Sequence, residues 1–145
     1  MQVSFALFAD AANLSQEGKL NILGVFDAVQ VGALPTVHRR ASLVVHLKGD
    51  ESDAGVHSLT LRWLSPTGEE LWNTQGQVEV QSAPPTGAGM DLPLIAAVDL
   101  PLDQPGSYAM HISVDDVPSA EVALHVRTAV ASFGAAPFAP TGLVS

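Results

Sequence analysis

The chain contains no cysteine, few basic residues and no long apolar run. Without cysteine, disulfides, thiolate metal sites and cysteine nucleophiles are all excluded. A lack of disulfides is typical of proteins in a reducing compartment. No stretch approaches the roughly 20 consecutive apolar residues that a membrane-spanning helix needs. We therefore expect a cytoplasmic protein that makes no contact with membranes.

Basic residues are outnumbered, with 6 Lys and Arg against 15 Asp and Glu, so the net charge is -9 and the pI about 4.6. Proteins that bind nucleic acids usually carry a basic surface, and anionic membranes also attract basic segments. This charge balance argues against both partners. It favours solubility, and it leaves a cationic partner or a metal ion open.

The chain also lacks the common catalytic motifs. It contains no G-x-S-x-G, H-E-x-x-H or G-x-G-x-x-G segment, which mark hydrolase, zinc-protease and dinucleotide sites. The Gly18-Lys19 pair could end a phosphate-binding loop, but that motif needs glycine at position 13 and a hydroxyl at position 20. Asn13 and Leu20 stand there instead. We expect a turn at Gly18-Lys19, no enzymatic activity and no cofactor.

Apolar and polar residues alternate with a period of two along most of the chain, which is typical of half-buried strands. Turn signals rich in Pro, Gly and Asp separate the alternating segments. The predicted strands are Val3–Ala9, Leu20–Val31, Ser42–Lys48, His57–Leu64, Trp72–Val80, Leu92–Leu100, Tyr108–Val114 and Glu121–Val126. Since no Lys or Arg precedes Val3–Ala9, a first strand is favoured over a signal segment. The spacing predicts an all-β, immunoglobulin-like antiparallel β-sandwich of about seven to eight strands.

The segment "LDQPGSY" places Tyr108 two residues after a Pro-Gly turn and just inside a strand. This arrangement resembles the tyrosine corner of immunoglobulin-like sandwiches, in which the phenol bonds back to the preceding connection. The cysteine pair of antibody domains is absent, so the likeness is to the architecture alone. An ordinary buried tyrosine is the alternative.

Acidic residues concentrate in the predicted loops. If eight strands each cross the sandwich once, the loops near residues 10–19, 50–55, 83–91 and 115–119 meet at one end. Calcium binds six to eight oxygens, and the candidate ligands are Asp50, Glu51, Asp53, Asp115 and Asp116. The segment "DESDAG" lacks the spacing of a self-contained calcium loop. Ordinary solvated loops and a docking surface for a basic partner are the alternatives.

The last predicted hairpin carries two histidines. If its paired residue numbers sum to 236, His111 faces His125 on the outer surface, where two imidazoles could share a metal with further ligands. A tighter turn at Asp115-Asp116 would set another register and separate them. Ordinary surface histidines are the alternative.

The C-terminal segment 128–145 contains no charged residue, so we place the sandwich domain at 1–127 and treat this segment separately. Its large apolar side chains are Phe133, Phe138 and Leu143, which we take as candidate partner-binding residues. Three interpretations stay open. The segment packs on its own sandwich, docks on another subunit or protein by adding to a sheet edge, or forms a flexible tail.

The stretches "FALFADAANLSQEGKLNILGVFDAV" and "VDDVPSAEVALHV" resemble a family of uncharacterised bacterial β-sandwich proteins of about this length. The resemblance extends to about Arg127. It implies a bacterial β-sandwich with no known activity, and it assigns no functional residue. We therefore expect a non-enzymatic structural or protein-interaction module that self-associates. The alternative is a module that binds a cation or small ligand at its acidic loops.

Overall fold

A computed structural model describes residues 1–81 and 89–129. The regular elements in these ranges are β1 (Gln2–Leu14), β2 (Leu20–Phe26), β3 (Ala28–Val31), β4 (Thr36–Gly49), a 3-10 turn (Glu51–Asp53), β5 (Gly55–Leu64), β6 (Glu70–Val80), β7 (Met90–Leu102), β8 (Gly106–Val114) and β9 (Val117–Thr128). No helix in the described ranges has the length and apolar character needed to cross a membrane.

The strands form two sheets. The four-stranded sheet has the order β2-β1-β4-β7 and the five-stranded sheet the order β3-β9-β8-β5-β6. All strand pairs are antiparallel except β3 with β9, which is parallel. The predicted immunoglobulin-like β-sandwich is confirmed, with nine strands in the described part of the chain.

The extra strand comes from the segment predicted as a single strand, Leu20–Val31. It divides at Asp27 into β2 and β3, which belong to different sheets. Phe26, the last residue of β2, packs inward with its ring centroid 5.9 Å from that of Phe8. Ala28 already pairs with His125 in the other sheet. Because the residues on both sides of Asp27 are apolar, hydrophobic periodicity does not mark the crossing.

The core lies between the sheets and is centred on Trp63, whose side chain is fully buried. Its indole stacks on the ring of Tyr108 at 5.4 Å between centroids and meets the ring of Phe8 edge-on at 6.0 Å. The Trp63 Nε1–H donates to the carbonyl of Pro101 at 2.9 Å. Since Trp63 belongs to β5 and Pro101 to β7, this hydrogen bond joins the two sheets.

The final hairpin turns at Asp115 and Asp116, which have φ values of 51° and 65°. Two central residues with positive φ form the tight turn that suits the twist of a hairpin, and aspartate tolerates this conformation. The turn pairs His111 with Glu121. The predicted facing of His111 and His125 is therefore wrong, and the alternative tighter turn is confirmed.

The predicted tyrosine corner is confirmed. The Tyr108 hydroxyl accepts hydrogen bonds from the backbone N–H groups of Asp103 and Gln104, at 2.7 Å and 2.9 Å. The same oxygen lies 2.5 Å from Asp103 Oδ1 and 2.8 Å from the Gln104 carbonyl, either of which can accept its proton. Burial raises the pKa of the phenol, which keeps it protonated. The hydroxyl thus fixes the connection between β7 and β8.

Replacing Tyr108 with phenylalanine should lower the free energy of unfolding by about 1–3 kcal/mol, because two backbone donors lose their acceptor while the ring packing is kept. Urea unfolding of the full chain measures the change. Ser107→Ala is the matched control, since it removes an exposed hydroxyl from the neighbouring position. Equal effects of the two variants would show that the corner contributes nothing to stability.

Candidate functional site

The acidic turn Asp50–Asp53 is held by its own carboxylates. Asp50 Oδ1 accepts a hydrogen bond from the Ser52 N–H, and Asp53 Oδ2 accepts one from the Asp50 N–H, both at 2.9 Å. Asp53 Oδ1 lies 2.9 Å from the amino group of Met1. The hydrogen bond to that amine, followed by the one to the Asp50 backbone, lowers the pKa of Asp53. These contacts stabilise the turn and occupy oxygens that a metal would need.

His57 connects this turn to the final hairpin. Its Nδ1 lies 2.6 Å from Asp115 Oδ2, and its Nε2 lies 2.6 Å from the Asp53 carbonyl. Both partners are acceptors, so the geometry favours the imidazolium, in which both ring nitrogens donate. The hydrogen bond to Asp115 is the main cause that raises the pKa of His57, and it lowers the pKa of Asp115. Asp115 Oδ1 also accepts from the Ser58 N–H at 2.9 Å.

Two of the four predicted acidic loops, near 50–55 and 115–119, approach the same end of the sandwich, and of the loop near 83–91 the described residue Asp91 lies close to it. Asp53 and Asp115 meet through His57, and Asp91 pairs with Lys48 close to that end. The loop near 10–19 lies at the opposite end, because Gln2 pairs with Lys48 and β1 runs away from there. The chain reverses its direction at Asp27, where the prediction had one continuous strand. Relative to the loop near 10–19, every later loop therefore lies at the end opposite to the predicted one. Glu51 and Asp116 are exposed.

The described residues hold no group of three or more His, Asp or Glu side chains placed to bind a metal ion. The candidate partner-binding residues Phe133, Phe138 and Leu143 lie outside the described residues, so their prediction stays a prediction. The division at 127/128 falls within the last two residues of β9, which extends to Thr128.

The outward side of the four-stranded sheet carries an apolar patch, next to polar outward residues that include Ser42, His46 and Lys48 of β4. In β4, Leu43 and Val45 belong to the core, so Val44 between them faces outward. Val44 pairs with Leu7 of β1 and Ile95 of β7, which share its face. Further outward residues on this sheet are Phe5 and Ala9 of β1 and Val25 of β2. We call these six residues the apolar outer face: Phe5, Leu7, Ala9, Val25, Val44 and Ile95.

Three of the six side chains of this apolar outer face are open to solvent, whereas Val44 and Ala9 are fully buried. Val25 is 61% exposed, Phe5 40% and Ile95 36%. The Phe5 ring stacks on the imidazole of His46 at 5.0 Å, nearly parallel at 4°. His46 Nδ1 in turn lies 2.5 Å from Ser4 Oγ. These contacts hold the Phe5 ring against the sheet.

The outward side of the five-stranded sheet is polar. Its strands present Ser58, Thr60 and Arg62 of β5, Gln75 and Gln77 of β6, and His111 and Ser113 of β8. Arg62 makes an ion pair with Glu70, with Nε and Oε1 2.6 Å apart. The two outer faces therefore differ in polarity. Because contiguous exposed apolar surface marks interaction sites in soluble proteins, the apolar outer face is the candidate interaction site.

Sequence reasoning missed this face although a signal for it exists. Strands that are apolar on both sides carry continuous apolar runs instead of an alternation. Such runs are present in "FALF" at 5–8, in "LVV" at 43–45 and in "LIAAV" at 94–98. An alternating pattern accounts for only one face of such a strand, so the intervening apolar residues of each run indicate a second apolar surface.

Comparisons with known proteins show which family the chain belongs to. Residues 4–127 match the model of a family of unknown function, DUF6941, and the chain belongs to this family. No curated protein matches the chain. A solved structure of an immunoglobulin-like protein from Pseudomonas aeruginosa is similar at 13% identity, covering 87% of this chain and 95% of the other, with a TM-score of 0.34.

The stabilising contribution of His57 should depend on pH. Its pKa is raised by folding, so the contribution is complete below the unfolded pKa of about 6.5 and is lost as pH rises through the folded pKa. Urea unfolding of wild type and His57→Gln should therefore differ most below about pH 6.5 and converge as the pH rises through the folded pKa. His125→Gln is the control for loss of an imidazole. A wild-type advantage that stays constant across this range would contradict the charged bridge.

Proposed function

We propose that this member of the DUF6941 family is a non-enzymatic protein-interaction module that pairs with a second copy of itself. The contact is made by the apolar outer face of the four-stranded sheet. The observation that supports this proposal is the contrast between that face and the polar outer face of the five-stranded sheet. Solubility alone would favour polar residues on both.

Burial of the apolar outer face supplies the driving force for pairing. Apolar surface contributes about 25 cal/mol for each Å² removed from water. Two sheets pack face to face at a separation of about 10 Å, so a second four-stranded sheet can cover this face as the five-stranded sheet covers the inner one. Val25, Phe5 and Ile95 are the side chains that gain most, because they are the most exposed.

Charge also favours this face for pairing. The chain carries a net charge of -9, so two copies repel each other unless the contact excludes their acidic groups. None of the six residues of the apolar outer face is charged; Lys48 and Asp91 share its side of the sheet, but near the end of the sandwich that carries the acidic turns at 50–53 and 115–116. A twofold contact between two copies of this face is self-complementary, as most homodimer contacts are.

Val25→Lys should weaken pairing at least tenfold, because a charge would be buried against an apolar partner. Val117→Lys is a matched control, since both valines are 61% exposed and both variants change the charge equally. Light scattering of the full chain over a concentration series gives the mass. We expect wild type and Val117→Lys to associate at least as dimers, and the mass of Val25→Lys at each concentration to fall below theirs. A wild-type monomer at every concentration would refute the proposal.

A further inference from the structure

The two sheets leave one side of the sandwich incompletely closed. Among the described residues, β6 and β7 are the last strands of their sheets: β6 pairs there only with β5, and β7 only with β4. The Trp72 Nε1–H of β6 donates to the Asp99 carbonyl of β7 at 3.0 Å and closes the gap at that level. Further along β6 no comparable bridge is present in the described residues.

A cavity of about 170 Å³ lies in this gap, beside Gly76. The inward residues of β6 alternate from Trp72 through Thr74, Gly76 and Val78, so the inner row lacks a side chain at Gly76. Its floor consists of core residues, including Leu43, Val45 and Leu61, and its walls include Leu59 and Leu94. We call this space the Gly76 cavity.

Glycine is not needed at position 76 for the fold. The φ of Gly76 is not positive, so other residues can adopt this backbone conformation. A Cβ added there would meet no atom within 4 Å. A glycine inside a strand costs stability and often marks a place where another chain or a ligand comes close. An apolar cavity of about 150 Å³ accepts a benzene-sized group, so the Gly76 cavity fits one large apolar side chain.

The unpaired edge of β6 adds a second means of binding. A peptide that adds to a sheet edge gains backbone hydrogen bonds along the strand, and alternate side chains enter pockets. An uncharged segment with large apolar side chains meets both requirements. The chain supplies such a segment at 130–145, which has no charged residue and contains Phe133, Phe138 and Leu143.

The distance from the end of β9 to the edge of β6 decides whether a chain's own C-terminal segment can reach that edge or whether the segment must come from a second copy. Gly76 pairs with Leu59, Leu59 with Val114, and Val114 with Val117 at the start of β9. Thr128, at the end of β9, is therefore about 36 Å further along the strand direction, and a strand added beyond β6 lies four strand spacings, or about 19 Å, to the side. The direct line is about 41 Å and crosses the polar outer face of the five-stranded sheet.

The three apolar side chains differ in reach. Phe138 follows Thr128 by ten residues, or about 35 Å of extended chain, so it and Phe133 fall short within one molecule. Leu143 has about 50 Å of extended chain, but its segment would lie across polar side chains with little apolar surface to bury. A segment from a second copy approaches from solvent without this limit.

We propose that the C-terminal segment of a second copy, residues 130–145, adds as a strand along the edge of β6 and places an apolar side chain in the Gly76 cavity. Phe133, Phe138 and Leu143 are the side chains that can fill it. This contact is separate from pairing through the apolar outer face and does not depend on it.

The test uses two variants of the full chain, neither of which can form the contact alone. The acceptor is isotope-labelled and carries Phe133→Ser, Phe138→Ser and Leu143→Ser. The donor is unlabelled and carries Gly76→Val, which fills the cavity. Both also carry Val25→Lys, which suppresses pairing through the apolar outer face. The result therefore tests binding of the C-terminal segment alone, whether or not the proposed pairing through the outer face is correct.

Methyl NMR of the acceptor reports the contact. Adding donor should shift the signals of Leu59 and Leu94 in a saturable manner and leave Val117 unchanged. A donor that also carries the three serine changes should produce no shift, and Gly76→Val in the acceptor should abolish it. No shift at donor concentrations up to about 1 mM, the weak limit of specific association, would overturn the proposal. A third protein that keeps both Gly76 and the unmodified C-terminal segment completes the test: Leu59 and Leu94 signals that differ from those of the acceptor and do not change on dilution would show the chain's own segment in the cavity and would also overturn the proposal.

Discussion

A sheet with apolar side chains on both faces gains the full hydrophobic stabilisation only when both faces are removed from water. The four-stranded sheet of this protein is such a sheet. Its inner face, with Leu43 and Val45, is covered by the five-stranded sheet, while its outer face exposes Phe5, Val25 and Ile95. The proposed pairing follows from this difference between the two faces of the sheet. A second copy would cover the outer face with an apolar sheet surface, as the five-stranded sheet covers the inner face.

The crossing at Asp27 decides which loops can act together. At this crossing the chain leaves β2 and turns back as β3, so all later strands run opposite to the direction they would have if the segment were one strand. The turn at 15–19 therefore lies at the other end of the sandwich from the turns at 50–53 and 115–116. At the latter end, His57 joins two acidic turns through hydrogen bonds to Asp115 and the Asp53 carbonyl. The acidic groups there thus have a structural role within the sandwich itself.

The sequence predicts the parts of this fold that depend on local patterns. Alternation identifies the strands, and the Pro-Gly turn before Tyr108 identifies the tyrosine corner. The register of the last hairpin depends on its local turn, and the sequence left two turns open of which the tighter one at Asp115-Asp116 is present. Two features depend on long-range geometry and are not predicted: the crossing at Asp27 within a continuous apolar segment and the cavity beside Gly76. The apolar outer face lies between these cases, since its continuous runs are visible but do not indicate which sheet face stays uncovered.

The central claim is that two copies meet through the outer face of the four-stranded sheet. Methyl NMR of the unmodified chain over a dilution series tests this claim most directly. The account predicts concentration-dependent shifts for the methyl groups of Leu7 and Val25 and for that of Ile95. The methyl groups of Val56 and Val117, which are as exposed as Val25 but lie elsewhere, should stay constant. Shifts confined to Val56 and Val117, or no shifts at any concentration, would contradict it.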